Sequence, residues 1–210
     1  MERFFRVYHA NGGLQRQKTF QNGTLEEDKI WHENGQLYIH AFYRDGKLEG
    51  EYKSWHANGQ TEIHEFYRDG NLEGDRKVWY SNGNIWSLTF YRNGKREGEH
   101  REWYPNGQIL IRSFWKEGER EGQCKVWDLD GKPYTQGFYR NGKLEGERKS
   151  WSANGKIIEC VYWRYDNLID GNFTDKQRRL LKLQHLYLQR SFPTLECFLI
   201  TDLAKIIKSH

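Results

Sequence analysis

Few groups in this chain have the residue types and spacing that chemistry requires. Residues 137–143 read Gly-Phe-Tyr-Arg-Asn-Gly-Lys, the glycine and lysine spacing of a phosphate-binding loop, in which backbone amides cradle the anion and a following Ser or Thr holds magnesium. Leu144 stands where that hydroxyl belongs, and all but Gly137 are positions that recur along the chain, so a turn is the expected role. His40 and His64 share one recurring position, but two imidazoles without a third ligand at defined spacing do not hold a metal. An acidic column, Glu49, Glu73, Glu97, Glu121, Glu145 and Asp170, offers carboxylates. Acid–base catalysis needs two carboxyls whose environments differ, and an identical acid in every repeat gives each the same one. These acids are expected to accept hydrogen bonds from turn amides or to pair with Lys53, Lys77, Arg101, Lys125 and Lys149. No Cys or Ser occupies a recognisable nucleophile context. The expectation is a protein with no catalytic residue, no metal site and no cofactor, hence not an enzyme.

Binding is a different matter. Arg44, Arg68, Arg92, Lys116, Arg140 and Arg164 place one cation beside a turn in each repeat, a candidate anion-binding column for acidic phospholipid headgroups or an acidic partner. The blander role is solubility of an exposed sheet. A second candidate comes from side-chain alternation, which puts positions two and four before each constant Phe on that Phe's face. There the chain carries Tyr38 and His40, Glu62 and His64, Trp86 and Leu88, Leu110 and Arg112, Tyr134 and Gln136, then Ile158 and Cys160. This varied strip of aromatic, apolar and charged groups is a candidate protein-binding surface; half-buried filler is the alternative.

These positions are set by a repeat. Trp31, Trp55, Trp79, Trp103, Trp127 and Trp151 are spaced by 24 residues, with Tyr8 preceding them at 23. Each is followed by Asn-Gly or Asp-Gly, then by a constant Phe (Phe42, Phe66, Phe90, Phe114 and Phe138), then by a second turn pair such as Asn93-Gly94, then by a third glycine such as Gly98. Such pairs tolerate the positive φ of hairpin turns, and the runs between them have strand length. Seven hairpins in succession predict an antiparallel meander about 65 Å long at roughly 4.8 Å per strand. The end units degrade: Glu27 replaces the third glycine of the first, and in the last Asn167 falls where a glycine belongs, after an apparent extra residue. Changing Gly94 to Val is expected to destabilise far more than changing Thr89 to Val. Beyond the array, Thr174 and Gln177 suggest a capping box, and apolar residues over 174–207 recur at helical spacing. Two amphipathic helices covering the last hairpin are expected there, and a chain cut at Gly171 should aggregate or associate end to end.

Composition agrees with a thin sheet. Only 36% of residues are apolar, 16% are aromatic, and the mean hydropathy is −1.01, so aromatic rings are expected to supply much of what is buried. The formal charge of +4 arises from 33 basic and 29 acidic residues, well interleaved, so no nucleic-acid partner is expected. Cys124, Cys160 and Cys197 lack framework spacing and read as free thiols of a cytoplasmic protein. The first residues lack a signal-peptide core.

The units Tyr91-Arg-Asn-Gly-Lys-Arg-Glu-Gly98 and Tyr139-Arg-Asn-Gly-Lys-Leu-Glu-Gly146 resemble the MORN repeat. The added Trp-x-x-Asn-Gly element and the 24-residue period resemble its variant form, some members of which carry an antitoxin description and which is expanded in some large DNA viruses. The resemblance covers residues 8–171. It implies a mainly β fold, an elongated single-layer antiparallel meander of seven hairpin repeats, used as a protein scaffold and often proposed to bind phospholipid. The expected organisation is a repeat array over 1–171 and a helical C-terminal cap over 172–210. The expected partner is a protein or a second copy, with acidic phospholipid as the rival.

Overall fold

The structure is a computed structural model that describes residues 1–170; the expected helical cap lies outside the described residues. All secondary structure within them is strand and turn. The array begins with β1 (Glu2–Tyr8), β2 (Leu14–Gln21), β3 (Thr24–Trp31), β4 (Leu37–Arg44), β5 (Lys47–Trp55) and β6 (Thr61–Arg68). It continues with β7 (Asn71–Leu72), β8 (Gly74–Trp79), β9 (Ile85–Arg92), β10 (Lys95–Trp103), β11 (Ile109–Lys116), β12 (Glu119–Arg120) and β13 (Gly122–Trp127). It ends with β14 (Pro133–Arg140), β15 (Lys143–Leu144), β16 (Gly146–Trp151), β17 (Ile157–Arg164) and β18 (Asn167–Asp170). All belong to one sheet. Pairing is antiparallel between chain neighbours throughout, for example β1 with β2, β5 with β6 and β16 with β17. β7 and β8, β12 and β13, and β15 and β16 are single strands interrupted at one residue, since both members of each pair lie on the same neighbour.

The three glycines of the unit do three different things. In the second turn pair both residues are left-handed, as at Asn93 (φ 49°) and Gly94 (φ 76°), the two-residue turn whose twist matches that of the strands. In the Trp-x-x-Asn-Gly turn only the glycine is left-handed, for example Gly35 at φ 83°. His32 N–H donates to the Gln36 carbonyl and Gly35 N–H to the His32 carbonyl, which is the three-residue loop with a glycine bulge. The expectation of positive φ across both pairs is therefore corrected for this one. The third glycine does not end the unit. It lies at a bulge within a strand, where Glu73 N–H reaches the Phe66 carbonyl at 2.8 Å and the register between β9 and β10 shifts between Glu97 and His100.

The last hairpin is corrected too. Tyr165 (φ 47°) and Asp166 (φ 67°) take the two turn positions without a glycine, and Asn167 opens β18. The period of 24 is kept through this turn, so there is no inserted residue in it.

All the buried side chains among the described residues except Thr19 lie on one face; Thr19, paired with Glu27, lies on the other. A row directly before the constant Phe, Ala41, Glu65, Thr89 and Ser113, runs through it, with Gly137 and Val161 in the same series. Between them on the intervening strands lie Tyr52, Arg76, His100 and Cys124, each facing its neighbour across the sheet. These are small or polar groups, not the aromatic core that composition suggests. Burial concentrated on one face is what a sheet coiled toward that face would show, with small side chains permitting the closer approach. At Gly137 a Cβ would come within 3.1 Å of Leu144 Cδ2.

The polar groups of this row are satisfied within it. Arg76 Nε donates to Glu65 at 2.6 Å, Tyr67 donates its hydroxyl hydrogen to the same carboxylate at 2.8 Å, and Thr89 Oγ1 lies 2.7 Å from His100 Nδ1. Burial and this carboxylate push the Tyr67 phenol well above its ordinary range. Burial also raises the Cys124 thiol.

Candidate binding face and the ladders that hold it

Neighbouring repeats are tied by side chains, and this is the role of the acidic column. Glu49, Glu73, Glu97, Glu121 and Glu145 each accept the first turn amide of the next repeat, from Asp69, Asn93, Glu117, Asn141 and Tyr165 at 2.8 to 3.2 Å. Asp170 falls one residue beyond the corresponding position, and its side chain lies outside the described residues. The turn-amide reading of these acids holds; pairing with the basic column does not. Lys53, Lys77, Arg101 and Lys149 instead pair with Glu51, Asp75, Glu99 and Glu147, two residues earlier on the same strand.

The other turn carries a second ladder. Asn34 Oδ1 accepts the Gln36 amide of its own turn, while its Nδ2 donates to the Ala57 carbonyl of the next. Asn11, Asn58 and Asn82 repeat the pattern. His9, His32 and His56, then Tyr80 and Tyr104, reach the backbone carbonyl of the following repeat's Trp. Asp130 has no amide donor, and there Lys132 Nζ reaches the Ala153 carbonyl at 3.1 Å in its place. Residues 137–143 form a strand and a two-residue turn, with Lys143 in β15, so the phosphate-loop spacing is a by-product of the lattice.

The face opposite the buried one carries the varied strip. Strand parity and pairing resolve it into three rows. In the first, the constant Phe alternates with an acid, as Glu51 opposite Phe66 and Glu99 opposite Phe114. The second is dominated by basic residues: Lys29 opposes His40, His40 opposes Lys53, and Lys53 opposes His64. Leu88 interrupts it, after which Arg101, Arg112 and Lys125 oppose one another in turn. In the third, the constant Trp alternates with Tyr38, Glu62, Trp86, Leu110, Tyr134 and Ile158 on the strands between. Tyr38, Trp86, Tyr134 and Ile158 are exposed.

The strip is thus divided between two rows. Its His40, His64 and Arg112 are held by acids from the preceding repeat, at 2.7 Å from Glu27, 2.9 Å from Glu51, and on Glu99 respectively. His40 and His64 are 4.4 and 5.0 Å from the rings of Phe42 and Phe66. Each histidine is committed to its own carboxylate. Leu88 and Gln136, at the position held by His40, His64 and Arg112 in other repeats, lack charge.

The Lys53 ammonium, hydrogen-bonded to Glu51, holds that carboxyl below the ordinary carboxylate range; partial burial opposes this, and His64 adds to it. The hydrogen bond from His100 lowers Glu102 in the same way. A depressed folded pKa contributes stability above the unfolded value, near 4.5, which is lost as pH falls through the folded value. The melting temperature is expected to hold from neutral pH to about 4.5 and to drop below it. Replacing Glu51 by Gln should flatten that drop, and a profile unchanged by Glu51→Gln would show that the carboxylate gains nothing from its neighbours.

The cation column beside the two-residue turns is open. Arg68, Arg92, Lys116 and Arg140 are exposed, and no acid lies within ion-pair distance of them among the described residues. Arg44 pairs with Glu49 at 3.1 Å, and Arg164 lies over the Tyr165 ring at 5.8 Å.

The family described as MORN repeat variant matches residues 5–22, 29–47, 48–69, 72–93, 96–117, 120–141 and 144–165. The chain belongs to this family. The MORN repeat variant matches begin and end within the hairpins, so the family's unit is the lattice traced here, offset by a few residues. MORN repeats build scaffolds. A comparison with curated proteins finds no match for this chain.

The sequence missed the cross-repeat role of the asparagines. The signal was present in the preference for Asn at the first turn, because Asp serves the turn equally well but has no hydrogen to donate to the next repeat.

Proposed function

We propose that this MORN repeat protein is a non-enzymatic scaffold in the cytoplasm that binds another protein on its open face, along the row where Trp alternates with Tyr38, Glu62, Trp86, Leu110, Tyr134 and Ile158. One observation carries the reading: large apolar groups stay exposed on this face, from 38% at Tyr38 and 42% at Trp86 to 59% at Tyr134 and 67% at Ile158, while the scaffold seals the other. Apolar rows left open in this way are what interfaces use, and varied residues on a constant lattice supply specificity.

Quantitative capture from cell extract with the intact chain and with Trp86→Ser/Leu110→Ser tests it. Proteins retained by the wild type should be lost by the variant at unchanged melting temperature, and an identical retained set would refute the assignment of this face.

A second reading has its own support. The free cations Arg68, Arg92, Lys116 and Arg140 suit anionic headgroups, which makes a membrane-surface adaptor the alternative. Co-sedimentation with phosphatidylserine vesicles, sensitive to salt and abolished by Arg68→Glu/Arg92→Glu, supports it. Equal sedimentation of wild type and variant rejects it.

A further inference from the structure

We propose that Arg101, Arg112 and Lys125 form a recognition site for a carboxylate side chain, presented by an extended segment of the partner protein that carries apolar groups beside its acids. This rests on the open face being the docking surface, and names the chemistry of what docks there. The three residues lie on β10, β11 and β13 and face one another in direct register. They span two strand spacings, about 10 Å.

Every other lysine of this row has an acid two residues earlier on its own strand: Glu27 for Lys29, Glu51 for Lys53, Asp75 for Lys77 and Glu147, at 2.5 Å, for Lys149. At the site this pattern fails. Glu99 alone is shared by Arg101 and Arg112, and the next acid position is Gln123. Lys125 therefore has no ion-pair partner among the described residues. Three cations face one carboxylate, with two guanidinium forks holding more donors than a single acid can accept.

The surroundings select the ligand. Arg112 stacks over Phe114 at 5.3 Å, which fixes the guanidinium at the edge of the Phe row. On the other side, the row of Trp103, Leu110 and Trp127 lies about 7 Å away along the strands. A partner whose carboxylate enters the site thus lays neighbouring apolar side chains on that row. A polyanion fits poorly, because Asp75, Glu99 and Glu147 recur beside the cations and would repel successive phosphates. A bilayer needs an extended positive surface, whereas the excess here is confined to three strands.

The test is fluorescence anisotropy with the full chain and a labelled peptide alternating Glu and Phe, against the same peptide with Gln for Glu. The Glu peptide should bind and the Gln peptide should bind at least about tenfold more weakly, the worth of one charge-assisted bond. Gln123→Glu, which restores the missing lattice acid, should weaken the Glu peptide about tenfold without moving the melting temperature, and Lys125→Gln should do likewise. Arg92→Gln, on the turn column, should change nothing. Equal binding of the two peptides, or tight binding retained by Gln123→Glu, overturns the site. So does the absence of peptide binding together with phosphatidylserine-vesicle binding that Gln123→Glu abolishes, which assigns the cations to lipid. Failure of the peptide while Trp86→Ser/Leu110→Ser still loses captured protein overturns this site and leaves the docking face standing; failure of both removes both.

Discussion

Replacing Arg76 by Met is expected to lower the stability of the array by about 3 kcal/mol, because it strands a charge that has left water. Glu65 is only 7% exposed at its side chain, and Arg76 is its ion-pair partner at 2.6 Å. Tyr67 adds a hydrogen bond but no compensating charge. The matched comparison is Arg44→Met, whose Arg side chain is 73% exposed in its pair with Glu49; pairs of that kind contribute about 0 to 1 kcal/mol. Replacing Glu65 by Val together with Arg76→Met should recover most of the loss, since removing both charges also removes their desolvation. Denaturant midpoints of the three variants measure this. A single-variant loss no larger than that of Arg44→Met would mean that Glu65 is not buried as described.

The second large effect is at a bulge. Gly98 has φ 74°, and a Cβ built on it meets no atom within 4 Å, so Gly98→Val isolates backbone strain from crowding. A β-branched residue in the left-handed region costs about 2 kcal/mol. Gly137→Val is the converse case, with ordinary φ and a Cβ 3.1 Å from Leu144 Cδ2, the movable end of a side chain. It should be the milder of the two by thermal melt. If Gly137→Val proves the worse, packing at the buried row outweighs the bulge conformation. The substitution expected from sequence to be much the milder, Thr89→Val, is a poor reference. Thr89 is 3% exposed and its hydroxyl is 2.7 Å from the buried His100 ring, so its loss strips a partner from a buried polar group. Thr24, exposed at the start of β3, is the better one.

The period of Trp, the turn pairs and the constant Phe were enough to read a meander of hairpins, because each is a local signal with one favoured geometry. The faces were harder. Alternation places Tyr38, His40 and Phe42 together, but it does not say whether that side or the side of Ala41 closes. Phe42 looks like the core and Ala41 like filler, yet the small residue is the buried one, at 1% exposure. The third glycine was legible as a special position and not as a bulge, since a bulge is defined by the strand opposite. Tyr165 and Asp166 carried no glycine to mark the turn. Their left-handed backbone is held by neighbours, with Glu145 accepting the Tyr165 amide and the Leu144 carbonyl accepting that of Asp166. Of the binding face, the varied strip was readable as a pattern. Its division into a charged row and an apolar row was not, because the acids that hold His40, His64 and Arg112 come from the preceding repeat.

The glutamate ladder, and the asparagine ladder except at Asp130, join a recurring side chain in one unit to backbone in the next. Duplication or loss of a whole 24-residue segment in the gene would preserve these backbone junctions, while a change of another length would shift the ladders out of step. Array length can thus drift in evolution independently of stability per unit, and each added copy would bring one more freely chosen residue to the apolar row. A new binding preference can be composed by copying and editing, with no redesign of the scaffold beneath it.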